Sequence, residues 1–142
     1  MEHQHKILVV DGDNDILSTY KEFFKKRGFI VEIAHNGIQG LEKLRHRDFS
    51  VALVALKIPK MNGIKIIKMA KEEEIETKIV ILSGEGDGNR NDGIAAVNIG
   101  VSAWFEKSPS IMGDLLKKVK ELSELMSFDE IDRFISSLPR QN

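Results

Sequence analysis

Two acids, a serine and a lysine follow the ends of apolar, β-forming segments of this sequence. Asp11 and Asp13 follow the first segment, Ser83 follows the fourth and Lys107 follows the fifth. Carboxylates can hold a divalent cation, and a lysine ammonium group can pair with a carboxylate. The third segment instead ends at Ala55, whose methyl group has no chemistry to offer. The pattern predicts an acidic site next to a central strand whose last residue, Ala55, has no reactive side chain.

Five short apolar segments could carry these residues as strands. They are Lys6–Val10, Phe29–Ala34, Val51–Ala55, Lys78–Leu82 and Ser102–Phe105. Apolar residues recur at helical spacing between the segments and again from Ile111 to Met126. Because parallel neighbours need crossover connections, this alternation predicts a doubly wound α/β fold: a five-stranded parallel sheet with helices on both faces.

We expect the strand order 2-1-3-4-5, the flavodoxin-like plan. In this order the functional crevice lies at the carboxyl ends of strands one, three and four. The residues expected there are Asp11, Gly12, Asp13, Ala55, Lys57 and Ser83, with Lys107 from strand five.

Composition narrows the class of protein. The chain has 142 residues, a net charge of -1 and no cysteine. These totals argue against a broad nucleic-acid surface and exclude disulfide or thiolate zinc sites. No apolar run approaches a membrane span, and the N-terminus lacks a secretory pattern, so we expect a cytoplasmic protein.

The expected organisation is a leader (1–5), one domain (6–126) and a C-terminal helical extension (127–142). Phe128, Ile131, Phe134, Ile135 and Leu138 lie along one face of that extension. We expect this face to pack on its own domain, the alternatives being a second copy of the chain or a partner.

The ordered motifs resemble a response-regulator receiver domain, the phosphoacceptor module of two-component signalling, over about residues 5–126. The motifs are Val9-Val10-Asp11, the loop Ile58–Gly63, Ser83 at the switch position, Gly100, and Trp104-Phe105-Glu106-Lys107. The resemblance implies that Trp104 is the switch aromatic and Lys107 the phosphate-contacting lysine.

Two positions depart from the family pattern. The resemblance implies a phosphoacceptor aspartate four residues before Pro59, where this chain has Ala55, and a second acid after Asp11, where it has Gly12. A methyl group can neither attack phosphorus nor bind Mg²⁺. We therefore expect a degenerate pseudo-receiver without enzyme activity, metal or other cofactor.

Such a module would act by binding a protein. The resemblance implies a sensor kinase or a downstream signalling protein, bound through the helix carrying Ile94–Ile99, strand five and the following helix, with Trp104 at this face. We expect no nucleic-acid or membrane partner and either a monomer or a homodimer.

Three alternatives stay open. Asp11 or Asp13 could be an unconventional phosphoacceptor with Mg²⁺, although Asp13 also suits a turn or helix cap. Lys57 or Lys107 could take the place of the cation by pairing with Asp11, or Lys57 could point to solvent. The crevice could also bind an unrelated small ligand.

Overall fold

The computed structural model describes residues 4–84, 98–125 and 128–139. The strands in these ranges are β1 (Lys6–Val10), β2 (Ile30–Ala34), β3 (Val51–Ala55), β4 (Lys78–Ser83) and β5 (Ala103–Glu106). The helices are α1 (Asn14–Lys25), α2 (Gly37–Leu44), α3 (Gly63–Glu72), α4 (Met112–Ser123) and α5 (Phe128–Ser137). A 3₁₀ turn, Pro109–Ile111, leads into α4.

All strands pair in parallel, in the order β2-β1-β3-β4-β5. This confirms the predicted doubly wound sheet. The central strand β3 is buried along its whole length, which explains its unbroken apolar sequence. Most of the helix predicted over Ile94–Ile99 lies outside the described residues, which resume at Asn98.

Alternate residues of the strands contribute side chains to two apolar layers, one on each face of the sheet. Leu8, Val10 and Val54 pack with side chains of α2 and α3 on one face of the sheet. Ile7, Val9 and Leu53 pack with side chains of α1 and α4 on the other. Burial on both faces holds the strand ends in place, and with them the side chains that follow.

The loop between β3 and α3 is held against α2. The Gly37 amide donates to the Pro59 carbonyl oxygen over 3.1 Å. A Cβ atom on Gly37 would lie only 2.5 Å from the Cβ atom of Met61, so this close approach requires glycine. The contact places Pro59 over the end of β1.

The C-terminal helix α5 differs from our expectation. In this helix, Ile131 is 37%, Phe134 54% and Ile135 58% exposed, and Leu138, which follows the helix, is 51% exposed. The prediction that this face packs on its own domain is therefore wrong for these side chains. Helical periodicity shows that a helix has an apolar face but does not show what covers it.

No helix of the described part is long and apolar enough to cross a bilayer.

Candidate functional site

The carboxyl ends of four strands bring the predicted residues into one region. Asp11 follows β1, Ala55 ends β3, Ser83 ends β4 and Lys107 follows β5. The backbone holds these ends in register, since the Lys107 amide donates to the Ser83 carbonyl oxygen over 2.7 Å. The site is therefore built at one edge of the sheet, where the strands end.

An ion pair joins Asp11 to Lys107. The Lys107 Nζ atom lies 2.7 Å from Asp11 Oδ2, and the side chains are 19% and 5% exposed respectively. Asp11 Oδ1 accepts a hydrogen bond from the Asp13 amide over 3.0 Å. Burial raises the pKa of the Tyr20 phenol, and the negative charge of Asp11 raises it further. Both oxygens of the Asp11 carboxylate are engaged within the chain.

The side chains of Lys57 and Asp13, the other charged candidates for this pocket, are both exposed. Lys57 is exposed, so Lys107 is the lysine that pairs with Asp11. Asp13 is also exposed, and its carboxylate accepts from the Asp15 and Ile16 amides at the start of α1. Asp13 therefore acts as the N-cap that its position favours.

Ala55 lies fully buried at the end of β3. It pairs in register with Leu82, and the next amide, of Leu56, donates to the Leu82 carbonyl oxygen over 2.9 Å. The start of α3 covers this point, because a Cβ atom on Gly63 would lie 2.7 Å from the Ala55 carbonyl oxygen. The position at which a phosphoacceptor is expected is thus an apolar part of the core.

Pro59 packs against Gly12. A Cβ atom on Gly12 would lie 2.7 Å from Pro59 Cδ and 3.3 Å from Pro59 Cγ. The proline ring is rigid, so an acidic side chain at position 12 requires the loop to move. Sequence reasoning identified the missing acid but not the proline packed against its position.

The pocket does not fit Mg²⁺. Magnesium requires an octahedral shell of oxygen ligands, usually with more than one carboxylate or phosphate. Here Asp11 pairs with Lys107, Gly12 and Ala55 offer no side-chain ligand, and Asp13 caps α1. Among the described residues, no group of three or more histidine and acidic side chains could hold a metal ion.

Ser83 and Trp104 form a direct hydrogen bond. The Trp104 Nε1 atom donates to Ser83 Oγ over 2.9 Å. Ser83 is buried, and the half-buried indole packs against the apolar layer shared with α2 and α3. Sequence reasoning singled out both residues but missed their contact. Trp104 pairs with Ile81, two residues before Ser83, so register places the two side chains on one face of the sheet.

The family model of the response regulator receiver domain matches residues 7–120. The chain is 31% identical to the photosynthetic apparatus regulatory protein RegA of Rhodobacter capsulatus over 101 residues, covering 71% of this chain and 54% of RegA. It is 32% identical to the transcriptional regulatory protein CpxR of Escherichia coli strain K12 over 105 residues, covering 72% of this chain and 43% of CpxR. The chain thus spans about half the length of these curated relatives.

Solved receiver structures match over nearly their whole length. A CheY-like receiver domain protein from Methanospirillum hungatei JF-1 is 28% identical with a TM-score of 0.79, covering 92% of this chain and 99% of that one. A receiver domain protein from Clostridium thermocellum is 25% identical with a TM-score of 0.75, covering 94% and 99%.

Proposed function

The chain belongs to the response regulator receiver domain family of two-component systems, and we propose that it signals without aspartyl phosphorylation, by binding a protein partner. Under this proposal the chain is a cytoplasmic binding module rather than an enzyme, and it uses no cofactor. Its partner would be a sensor kinase or a downstream signalling protein.

The buried methyl group of Ala55 carries this proposal. Phosphoryl transfer to a protein needs a nucleophilic oxygen aligned with the phosphorus, and positive charge to stabilise the transferring group. Ala55 has no such oxygen, and the pocket does not fit the metal that would supply the charge. The nucleophile is therefore missing at the end of β3, and the positive charge of Lys107 is paired with Asp11.

The engaged groups around Ala55 support the same conclusion. Lys107 pairs with Asp11, and the Ser83 hydroxyl accepts from the Trp104 indole. The three side chains that could contact a phosphoryl group, those of Lys107, Asp11 and Ser83, are therefore already bonded within the chain. The pocket is electrostatically satisfied without phosphate, since one positive charge faces one negative charge.

Trp104 marks the surface through which we propose that the module binds. Its indole is half-buried on β5, and α4, which follows β5 in the chain, presents Lys117 and Lys120 to solvent. A large amphipathic ring that is partly exposed is typical of an interface centre.

Treatment with acetyl phosphate and Mg²⁺, followed by intact-mass measurement, tests the proposal. We expect no retained phosphoryl group on the wild-type chain, while a phosphorylatable receiver treated in parallel gains one. A retained phosphoryl group that disappears in Asp11→Asn or Asp13→Asn would overturn the proposal and identify an unconventional acceptor.

Affinity capture from the cells that make the protein tests the binding surface. We expect Trp104→Ala to lose a partner that the wild type retains without phosphodonor. Ile38→Ala is the matched control, because Ile38 is a large exposed apolar residue on α2, away from β5. Equal recovery by Trp104→Ala and the wild type would exclude this surface.

A further inference from the structure

Five lysines extend along the loop after β3 and the following helix. They are Lys57, Lys60, Lys65, Lys68 and Lys71, which we call the lysine strip. All five are exposed, and none forms an ion pair within the part of the chain that the structure describes. Residues 51–71 contain no aspartate or glutamate. The strip is therefore positively charged along its length, on a chain whose net charge is only -1.

The arrangement is unfavourable for the isolated helix. Lys65 lies in the first turn of α3, where the helix dipole disfavours positive charge. Lys68 follows three residues later and Lys71 three after that, a spacing that brings like charges together. Lys60 has a positive φ of 72°, so a residue with a Cβ atom occupies the left-handed region in the same loop.

Glu72 and Glu73, at the end of α3, form no ion pair with the strip in the described structure. Glu73 binds Arg45 through hydrogen bonds of 2.8 and 3.0 Å. Glu72 is the single acid of α3, at its last residue, and makes no ion pair in the described part of the chain. Within the described ranges of the chain, no ion pair therefore offsets the charge of these lysines.

We propose that the lysine strip is a docking surface for an acidic segment of a partner protein. Charge complementarity selects this occupant, because carboxylates three or four residues apart on a partner helix would face Lys65 and Lys68. The helix α3, which carries three of the five lysines, packs on the sheet face opposite α4, the face on which Trp104 also packs. The inference rests on the charges of the strip and does not depend on the proposed function.

The composition of the strip disfavours two other anionic partners. Five lysines without arginine, on a chain of net charge -1, lack the bidentate groups and the large positive field typical of nucleic-acid binding. A membrane-surface helix would add exposed large apolar residues, yet none lies between residues 57 and 71. An acidic polypeptide needs neither feature.

Binding of fluorescent poly-L-glutamate to the full chain at physiological ionic strength tests this surface. We expect Lys65→Glu/Lys68→Glu to lose at least about tenfold in affinity, because two attractions become repulsions. Lys21→Glu/Lys25→Glu on α1 is the matched control. Both of its lysines are exposed and lack ion pairs in the described part, and the variant changes net charge equally. We expect the control to bind like the wild type.

Three results would overturn the inference. These are no binding of poly-L-glutamate to the wild type, an equal loss in both double variants, or tighter binding of oligothymidylate of matched charge, which would indicate a nucleic-acid surface. Urea unfolding verifies that each variant folds. If the charge reversal does not fold, Lys65→Gln/Lys68→Gln replaces it, with a smaller loss expected and the same contrast to Lys21→Gln/Lys25→Gln.

Discussion

Replacement of carboxyl groups at two positions changes the charge of the pocket as well as its chemistry. With acids at positions 12 and 55, Asp11 would face two further carboxylates, and like charges at such short range require a cation. With Gly12 and Ala55, Asp11 and Lys107 form a neutral pair. Under the proposed function, Gly12 and Ala55 would account both for the missing phosphoacceptor and for a pocket that needs no metal ion.

The first prediction concerns the Asp11–Lys107 pair. Lys107→Met leaves the buried Asp11 carboxylate unpaired, so we expect a loss of about 1–3 kcal/mol in the free energy of unfolding. Asp11→Asn in the same chain removes that charge and should recover part of the loss. Urea unfolding of both single variants and the double variant measures the coupling, and additive effects within about 0.5 kcal/mol would contradict it.

The second prediction concerns the contact between Gly12 and Pro59. Gly12→Ala places a methyl group 2.7 Å from Pro59 Cδ, so we expect a loss of about 1–3 kcal/mol in the free energy of unfolding. Gly113→Ala is the matched control, because a Cβ atom there has no neighbour within 4 Å. The control sits in α4 and should be neutral or stabilising by up to about 1 kcal/mol. Equal stability of the Gly12 variant and the wild type would show that the loop yields freely.

Among the elements, α1 and α5 contrast most clearly in how they use apolar residues. Phe24 of α1 is fully buried and makes edge-to-face contacts with Phe23 and Phe29. Phe134 of α5 is more than half exposed. Both helices have an apolar face, but only that of α1 is covered by the sheet in the described structure.

The third prediction follows from this contrast. Phe24→Ala should cost about 3–5 kcal/mol in the free energy of unfolding, since it leaves a cavity in the core. Phe134→Ala should change that free energy by no more than about 0.5 kcal/mol, because its ring is largely in water already. Chemical denaturation of the two variants provides the comparison. A loss above about 1 kcal/mol in Phe134→Ala would mean that α5 packs on the domain in solution.

Over the whole molecule, an ion-pair network ties one edge of the sheet together. Lys6 of β1 pairs with Glu32 of β2 and with Asp48, and Lys43 of α2 reaches the same glutamate over 2.9 Å. Lys6, and then Lys43, lower the pKa of Glu32 from its ordinary value of 4.5. These ion pairs link β1, β2 and α2 at the surface, in addition to the apolar contacts that hold the same elements together in the core.

The fourth prediction concerns the pH dependence of this network. Because the folded pKa of Glu32 is depressed, its contribution is present above about pH 4.5 and is lost as the pH falls through the folded pKa. Glu32→Gln should therefore be less stable than the wild type by about 0.5 kcal/mol at pH 7, a value kept small by solvent screening. The difference should shrink as the pH falls towards 3. A difference in unfolding free energy that stays constant between these pH values would contradict the assignment.

Most of the fold could be predicted because burial of a parallel sheet is encoded locally. The strands β1, β3 and β4 are apolar runs bounded by polar residues, and the helices between them follow a clear period. The covering of α5 could not be predicted, since an apolar face does not specify its partner. The contact of Trp104 with Ser83 required the register of β4 and β5, which no residue pattern specifies.

The sequence by itself determined the parallel sheet and the lack of a carboxyl group at its centre, because both depend on side-chain identity and short-range periodicity. Only the tertiary structure decided that Lys107, 96 residues from Asp11, is the lysine that pairs with it, and that Pro59 packs against Gly12. Distances between the ends of different strands depend on sheet order and on the paths of loops, and these follow from how the whole chain packs.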